Sequence, residues 1–157
     1  MQTPRLTIRK FCESDFESLY ALLSDAEVMR FLEPPYSREQ TRDFLNSYAL
    51  CDAPSVWAVE DKRGQWIGYV IYHPYESDSY EIGWVLRRED WRKGYAQELT
   101  AALIRDAQTR THELVLECVP EQAATRVIAL QNGFIHAGKD GNLDVYKLSL
   151  HRKADNH

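Results

Sequence analysis

The run Trp91-Arg92-Lys93-Gly94-Tyr95-Ala96 follows a strand-like segment, Tyr80 to Leu86, and leads into an amphipathic helical segment from Gln97. A small-residue turn between a strand and a helix presents several backbone N–H groups at the positive end of the helix dipole. That arrangement suits a phosphate or pyrophosphate. Gly94 and Ala96 leave room for a ligand to approach the main chain closely. Arg87, Arg88, Arg92 and Lys93 place cations at the same entrance. On spacing alone a plainer reading is as good, because basic residues ahead of a helix are usually solvated and Gly-x-Ala can serve packing only. The chain contains neither Gly-x-x-x-x-Gly-Lys-Ser/Thr nor Gly-x-Gly-x-x-Gly, so two common nucleotide loops are excluded.

Bulk composition bounds what can surround this turn. A chain of 157 residues fits one domain, expected over residues 1–157 with a frayed tail from 151, and it is long enough to bury a substantial core. A hydrophobic fraction of 44% argues for a folded chain. The net charge of −5 argues against a nucleic-acid surface. Cys12, Cys51 and Cys118 are scattered and odd in number, which predicts reduced thiols. The histidines lack ligand spacing, and no metal is expected. No signal-peptide core or membrane-length apolar run is present, so a cytoplasmic protein away from membranes is expected.

The elements that must position the turn follow from periodicity. Residues 5–11 alternate as a strand with Leu6 and Ile8 on one face. A helix is expected from Glu13 or Ser14 to Leu23, and a second, short one from Ser24 to Phe31, ended by Pro34-Pro35. Ser37-Arg38-Glu39-Gln40 reads as a capping box opening a helix to Ala49 that buries Phe44, Leu45 and Tyr48. Strands are predicted over Ser55–Glu60, Trp66–Tyr72 and Tyr80–Leu86, the first two joined as a hairpin through residues 61–65. From Gly94 the period turns helical, with Tyr95, Leu99, Ala102, Leu103, Asp106 and Ala107 on one face. Leu114–Val119 reads as a buried strand, Pro120 suits entry to a helix that Gly133 ends, and a hairpin about residues 139–142 closes the chain. The alternation of strands and helices predicts a mixed α/β sheet.

The turn and the order of these elements resemble the GNAT superfamily of N-acetyltransferases, whose acyl-CoA motif is Gln/Arg-x-x-Gly-x-Gly/Ala. Trp91 stands where Gln or Arg is commonest, a variant familiar in the subgroup that acetylates ribosomal-protein amino termini. Arg5-Leu6-Thr7-Ile8-Arg9 followed by Glu13, Asp15 and Glu17 is similar to that subgroup's first strand and helix. Pro120-Glu121-Gln122-Ala123-Ala124-Thr125 with Leu130-Gln131-Asn132-Gly133-Phe134 resembles its Pro-Glu-Asn-x-x-Ser and closing Gly-Phe. The likeness implies a GNAT acyltransferase fold: a sheet of six to seven strands that splays between the fourth and fifth, with about four helices. It implies acetyl-CoA as donor and an amine as acceptor, and it allows a homodimer.

Carried over residue by residue, the resemblance assigns Arg92, Lys93, Gly94, Tyr95, Ala96 and Gln97 to the pyrophosphate. It assigns the backbone of Val85, Leu86 and Arg87 to the pantetheine arm and the thioester oxygen, although Val85 and Leu86 also read as plain core. Glu81 matches a general base and Glu117 is its rival; either could equally be a half-exposed strand residue. Thr125 matches a residue that hydrogen-bonds the departing sulfur, but a hydroxyl bonded to its own helix is the plainer reading. Gln122 replaces the family's Asn with one more methylene, and Ala129 stands where a tyrosine is common. Glu13, Asp15, Glu17, Glu27 and Glu33 could line an entrance for a cationic amine or simply solvate helices. The acceptor stays open between a protein amino terminus, a polyamine and a small amine. An acyl-CoA-binding sensor without catalysis, or a structural ribosome-associated factor, are the readings from other classes.

Overall fold

The computed structural model describes residues 1–151, so the expected tail lies, from residue 152 on, outside the described residues. Its strands are β1 (Leu6–Arg9), β2 (Val56–Asp61), β3 (Trp66–Pro74), β4 (Ser79–Leu86), β5 (Glu113–Cys118), β6 (Ile135–Asp140) and β7 (Leu143–Ser149). The α-helices are α1 (Phe16–Leu23), α2 (Arg38–Phe44), α3 (Tyr95–Ala107) and α4 (Ala123–Gln131). The seven strands form one mixed sheet in the order β1-β2-β3-β4-β5-β7-β6, as the alternation of elements predicted. The chain groups into two units, Met1–Ile71 with Trp84–Tyr95, and Tyr72–Gly83 with residues from Ala96 onward.

In the first unit β1 pairs antiparallel with β2, from Leu6 opposite Asp61 to Arg9 opposite Ala58. The β2–β3 hairpin turns where predicted, and the Asp61 carboxylate accepts from the N–H groups of Arg63 and Gln65, an Asx-type turn. Gly68 on β3 cannot be anything larger: a Cβ there would lie 2.1 Å from the carbonyl oxygen of Val85. The core collects Leu19, Leu22 and Leu23 from α1 with Phe11, Leu45, Ala58, Tyr69 and Val85. The Ser37–Gln40 capping box is present in both directions, with Ser37 accepting from the Gln40 N–H and Gln40 reaching back to the Ser37 N–H.

Three local expectations for this unit need correction. Residues 24–33 form turns rather than a short helix. The Asp25 side chain takes the Glu27 and Val28 N–H groups as a cap would, but few helical bonds follow before Pro34-Pro35, too few to offset the cost of nucleation. The helix begun at Ser37 does reach Ala49, but its last turns widen into a π-helix over Leu45–Ala49. That widening carries Leu45 fully inside and leaves Tyr48 51% exposed, packed edge-on against the Phe44 ring instead of buried.

In the second unit β5 pairs antiparallel with β7, from Glu113 opposite Ser149 to Cys118 opposite Asp144, and β7 pairs with the edge strand β6. α3 buries Leu99, Thr100, Ala102, Leu103 and Ala107, an i, i+3, i+4 stripe of the kind its sequence promised. Removing a buried leucine such as Leu103 would cost about 3 kcal/mol. β4 and β5 run parallel, and their register extends from Ser79 opposite Glu113 to Glu81 opposite Val115. β4 continues to Leu86 and β5 to Cys118. Pairing thus ends partway along both strands, with Glu81 in its last rung.

Candidate active site

Two left-handed residues shape the turn before α3. Arg92 has φ 62° and Gly94 has φ 81°. The second is a conformation glycine adopts without strain. Arg92, Lys93 and Gly94 are all exposed. Trp91 anchors it, because the indole N–H donates to the Leu86 carbonyl at 2.9 Å. A second anchor was not legible in the sequence. Arg5, 88 residues earlier, donates to the Lys93 carbonyl at 2.8 Å, and its guanidinium stands over the Tyr95 ring at 4.5 Å. A Cβ on Gly94 would lie 3.3 Å from that same guanidinium.

The expected ring of basic side chains is largely engaged. Arg87 and Lys93 both contact the buried carboxylate of Asp90, at 2.8 and 3.1 Å, and Arg88 pairs with Asp25. These contacts hold the Arg87 and Arg88 guanidinium groups further above their already high ordinary values, first through the hydrogen bonds they donate to Asp90 and Asp25. The Arg87 N–H donates to the Ile67 carbonyl at 2.9 Å. Val85 and Leu86 are buried, as core residues would be. In the second unit the Gln97 side chain is locked in a reciprocal amide pair with Asn132, at 3.0 and 2.7 Å.

The two candidate carboxylates belong to one cluster. The Tyr75 N–H donates to the Ser79 carbonyl at 3.0 Å, which closes the β3–β4 turn. Stepping back along each strand from that pair sets His73 opposite Glu81, and Nε2 of His73 lies 2.8 Å from Oε1 of Glu81. Both side chains are partly buried, at 22% and 23% exposure. Nδ1 of His73 lies 2.7 Å from the Pro74 carbonyl oxygen. The hydrogen bond to Glu81 chiefly, with help from Pro74, holds the imidazole above its usual range despite burial. Next to it, the Tyr75 hydroxyl donates to Oε1 of Glu117 at 2.9 Å. That bond, with burial and the Glu117 charge, pushes the phenol up to about 12. The His73 and Tyr75 rings meet edge to face at 6.4 Å. Both glutamates were named as candidates from the sequence, while the side chains they contact, His73 and Tyr75, were not.

Other candidates fall less favourably. Thr125 sits half-buried in the first turn of α4, and among the described residues its hydroxyl makes no hydrogen bond, so the expected bond to its own helix is not formed. Gln122 precedes α4 and turns its amide oxygen back to the Val119 N–H at 3.2 Å. Ala129 is fully buried. Cys118 is buried and burial pushes its thiol up, as suits an apolar core residue. Of the acidic residues thought to line an entrance, Glu13 pairs with Arg42, Asp15 with Arg9 and Glu17 with Arg38. Their charge is therefore largely neutralised locally, while Glu27 and Glu33 remain exposed. No group of three or more His, Cys, Asp or Glu among the described residues could hold a metal. No described helix is long and apolar enough to cross a membrane.

Comparison with known proteins bears on the family and the fold. The acetyltransferase (GNAT) domain profile matches residues 5–135. The uncharacterized N-acetyltransferase YnaD of Bacillus subtilis (strain 168) is 29% identical over 123 residues, covering 76% of this chain and 72% of that protein. A GNAT-family acetyltransferase structure from Bacillus anthracis superposes with a TM-score of 0.85 at 24% identity, over 95% of this chain and 97% of that one. The spermidine N-acetyltransferase of Vibrio cholerae in complex with CoA and spermine superposes at 0.78 with 21% identity, over 94% and 96% of the two chains. At such identities the structural likeness speaks to the fold, which is the mixed α/β GNAT fold. The chain belongs to the GNAT acetyltransferase family and is an N-acetyltransferase.

Proposed function

We propose that the chain, as one N-acetyltransferase domain over residues 1–157, transfers an acetyl group from acetyl-CoA to a primary amine by direct attack. The observation that carries this reading is the exposed left-handed turn at Arg92–Gly94, opening directly onto α3. Oriented amides at a helix start suit a diphosphate, and a glycine at φ 81° admits one at close range. Arg5 beside Gly94 adds a cation there, and Tyr95, Ala96 and Gln97 complete the turn's run into the helix. The main chain of Val85, Leu86 and Arg87 is our candidate for holding the pantetheine arm and the thioester oxygen, although the Arg87 N–H is itself engaged by the Ile67 carbonyl.

Acetyl-CoA supplies an activated carbonyl with a thiolate leaving group. An amine attacks only as the neutral base, and Glu81, in the last rung before β4 and β5 cease to pair, takes up the proton. Glu117 is the weaker candidate, because the Tyr75 hydroxyl already occupies one of its oxygens. Thr125, with its hydroxyl unengaged among the described residues, is our candidate donor to the sulfur, and Gln122 would have to leave Val119 to reach the pantetheine arm.

The acceptor is a primary amine of a protein terminus, as in the ribosomal-protein subgroup, or a polyamine or other small amine. Free-thiol release from acetyl-CoA with a panel of amino-terminal peptides, spermidine and small amines separates these. A second reading, an acyl-CoA sensor, draws on the engaged side chains of Gln97 and Gln122. It predicts CoA binding without turnover on any amine, and no change on Glu81→Gln. Cytoplasmic residence and dimerisation are part of the same proposal, checked by fractionation and by sedimentation.

A further inference from the structure

Acetyl transfer with Glu81 as base leaves one group of the cluster without a role, the imidazole of His73. Its two nitrogens face partners of a particular kind. The Pro74 carbonyl can only accept, so Nδ1 carries a hydrogen and donates to it at 2.7 Å. Nε2 then turns its lone pair toward Oε1 of Glu81 at 2.8 Å, which is itself an acceptor when ionised. That contact is complete only when one proton lies between the two atoms. With no proton there, two lone pairs face each other, so the link draws a proton in from whatever reaches Glu81.

Among the described residues, the other groups of the cluster cannot take this part. From β5, Glu117 meets Tyr75, whose hydroxyl donates and stays protonated at neutral pH. Tyr75 turns only the edge contact of its ring to His73. Glu76 acts on the cluster only through its charge, felt at Tyr75. Among the described residues, His73 is the side chain in contact with Glu81 that can store a proton.

We propose that His73 is the positioning residue through which Glu81 works, the pair forming a two-site proton relay. The inference rests on the reading of Glu81 as the base for acetyl transfer. As the N–C bond forms and the C–S bond breaks, the electron pair of that bond leaves with sulfur. The proton lost by nitrogen passes to the carboxylate of Glu81 and shifts along the hydrogen bond to Nε2. Glu81 is restored as a carboxylate and His73 becomes an imidazolium, which returns its proton to water after the product departs, while the thiolate takes one from water.

The test follows kcat/KM against pH for the wild type and His73→Gln, with acetyl-CoA and whichever amine turns over. The glutamine amide can still donate a hydrogen bond to Glu81 but cannot take up a proton. The wild type should gain activity with rising pH through a midpoint above about 6.5, the ordinary imidazole value. His73→Gln should lose roughly 10-fold at neutral pH and lose that limb, with circular dichroism unchanged. In parallel, the imidazole signals of His73 are titrated by NMR in the wild type and in Glu81→Gln, where the midpoint should fall. A His73→Gln enzyme that keeps the wild-type limb overturns the relay, as does a His73 titration indifferent to Glu81→Gln. A wild type that binds CoA yet acetylates no amine overturns the acetyl-transfer reading itself, and the relay with it.

Discussion

The turn proposed to grip a diphosphate and the carboxylate cluster would solve their chemical problems by opposite means. At Arg92–Gly94 the proposed grip falls to main-chain amides, and the side chains around them are anchors: Trp91 on the Leu86 carbonyl, Lys93 and Arg87 on Asp90, Arg5 on the Lys93 carbonyl. At Glu81 the main chain sets the register, and the proposed proton transfer falls to side chains, Glu81 and the His73 it contacts, beside the Tyr75–Glu117 pair. The first region should therefore tolerate loss of a side chain and fail when its backbone is disturbed. The second should do the reverse.

The largest departure expected is at Glu81. Glu81→Gln keeps the shape and hydrogen-bonding reach but cannot take a proton, so kcat should fall about 100-fold or more while CoA affinity holds. Equal losses in both would mean that Glu81 shapes the donor site instead. On the main-chain side, Gly68→Ala drives a methyl into the Val85 carbonyl and should lower stability by about 3 kcal/mol, read as a loss in Tm. Stability unchanged by this substitution would show that β3 and β4 are not held so closely there. A smaller effect belongs to Arg5→Met, which removes a cation from beside Gly94. CoA should bind roughly 5-fold more weakly, and the difference should shrink at high salt. A loss that ignores salt would make Arg5 a packing residue.

The smallest effects have opposite signs in the two regions. Burial alone would push Asp15 up, but the Arg9 and Cys12 hydrogen bonds hold its carboxyl below the usual value. Its contribution is present above about pH 4 and is lost as pH falls through the folded value. His73, held above its usual value, contributes below about pH 6.5 and is lost as pH rises through its folded value. After solvent screening each is worth about 1 kcal/mol at most. Asp15→Asn should flatten only the acid limb of a Tm-against-pH curve, and Glu81→Gln only the alkaline one.

What could be read in the sequence follows the same division. The turn, the stripe on α3, the Ser37 capping box and the β2–β3 hairpin are local, and each is fixed by residues a few positions apart. The contact of Arg5 with the Lys93 carbonyl joins positions far apart in the chain, and no period carries it. His73 is the instructive miss. Placing the centre of the β3–β4 turn midway between Tyr75 and Ser79 puts His73 opposite Glu81, but Pro74 reads as the end of a run and hides the register. The Asp25 turn failed for another reason: a good cap followed by too little helix to keep.

The account stands most directly on the main-chain grip at residue 94. Calorimetric titration of CoA into the wild type and into folded Gly94→Asp tests it, since the variant adds both a strained side chain and a negative charge where a diphosphate is expected. Binding weakened by roughly 100-fold or more, with Tm little changed, is the predicted result. Wild-type affinity in a folded Gly94→Asp would contradict it.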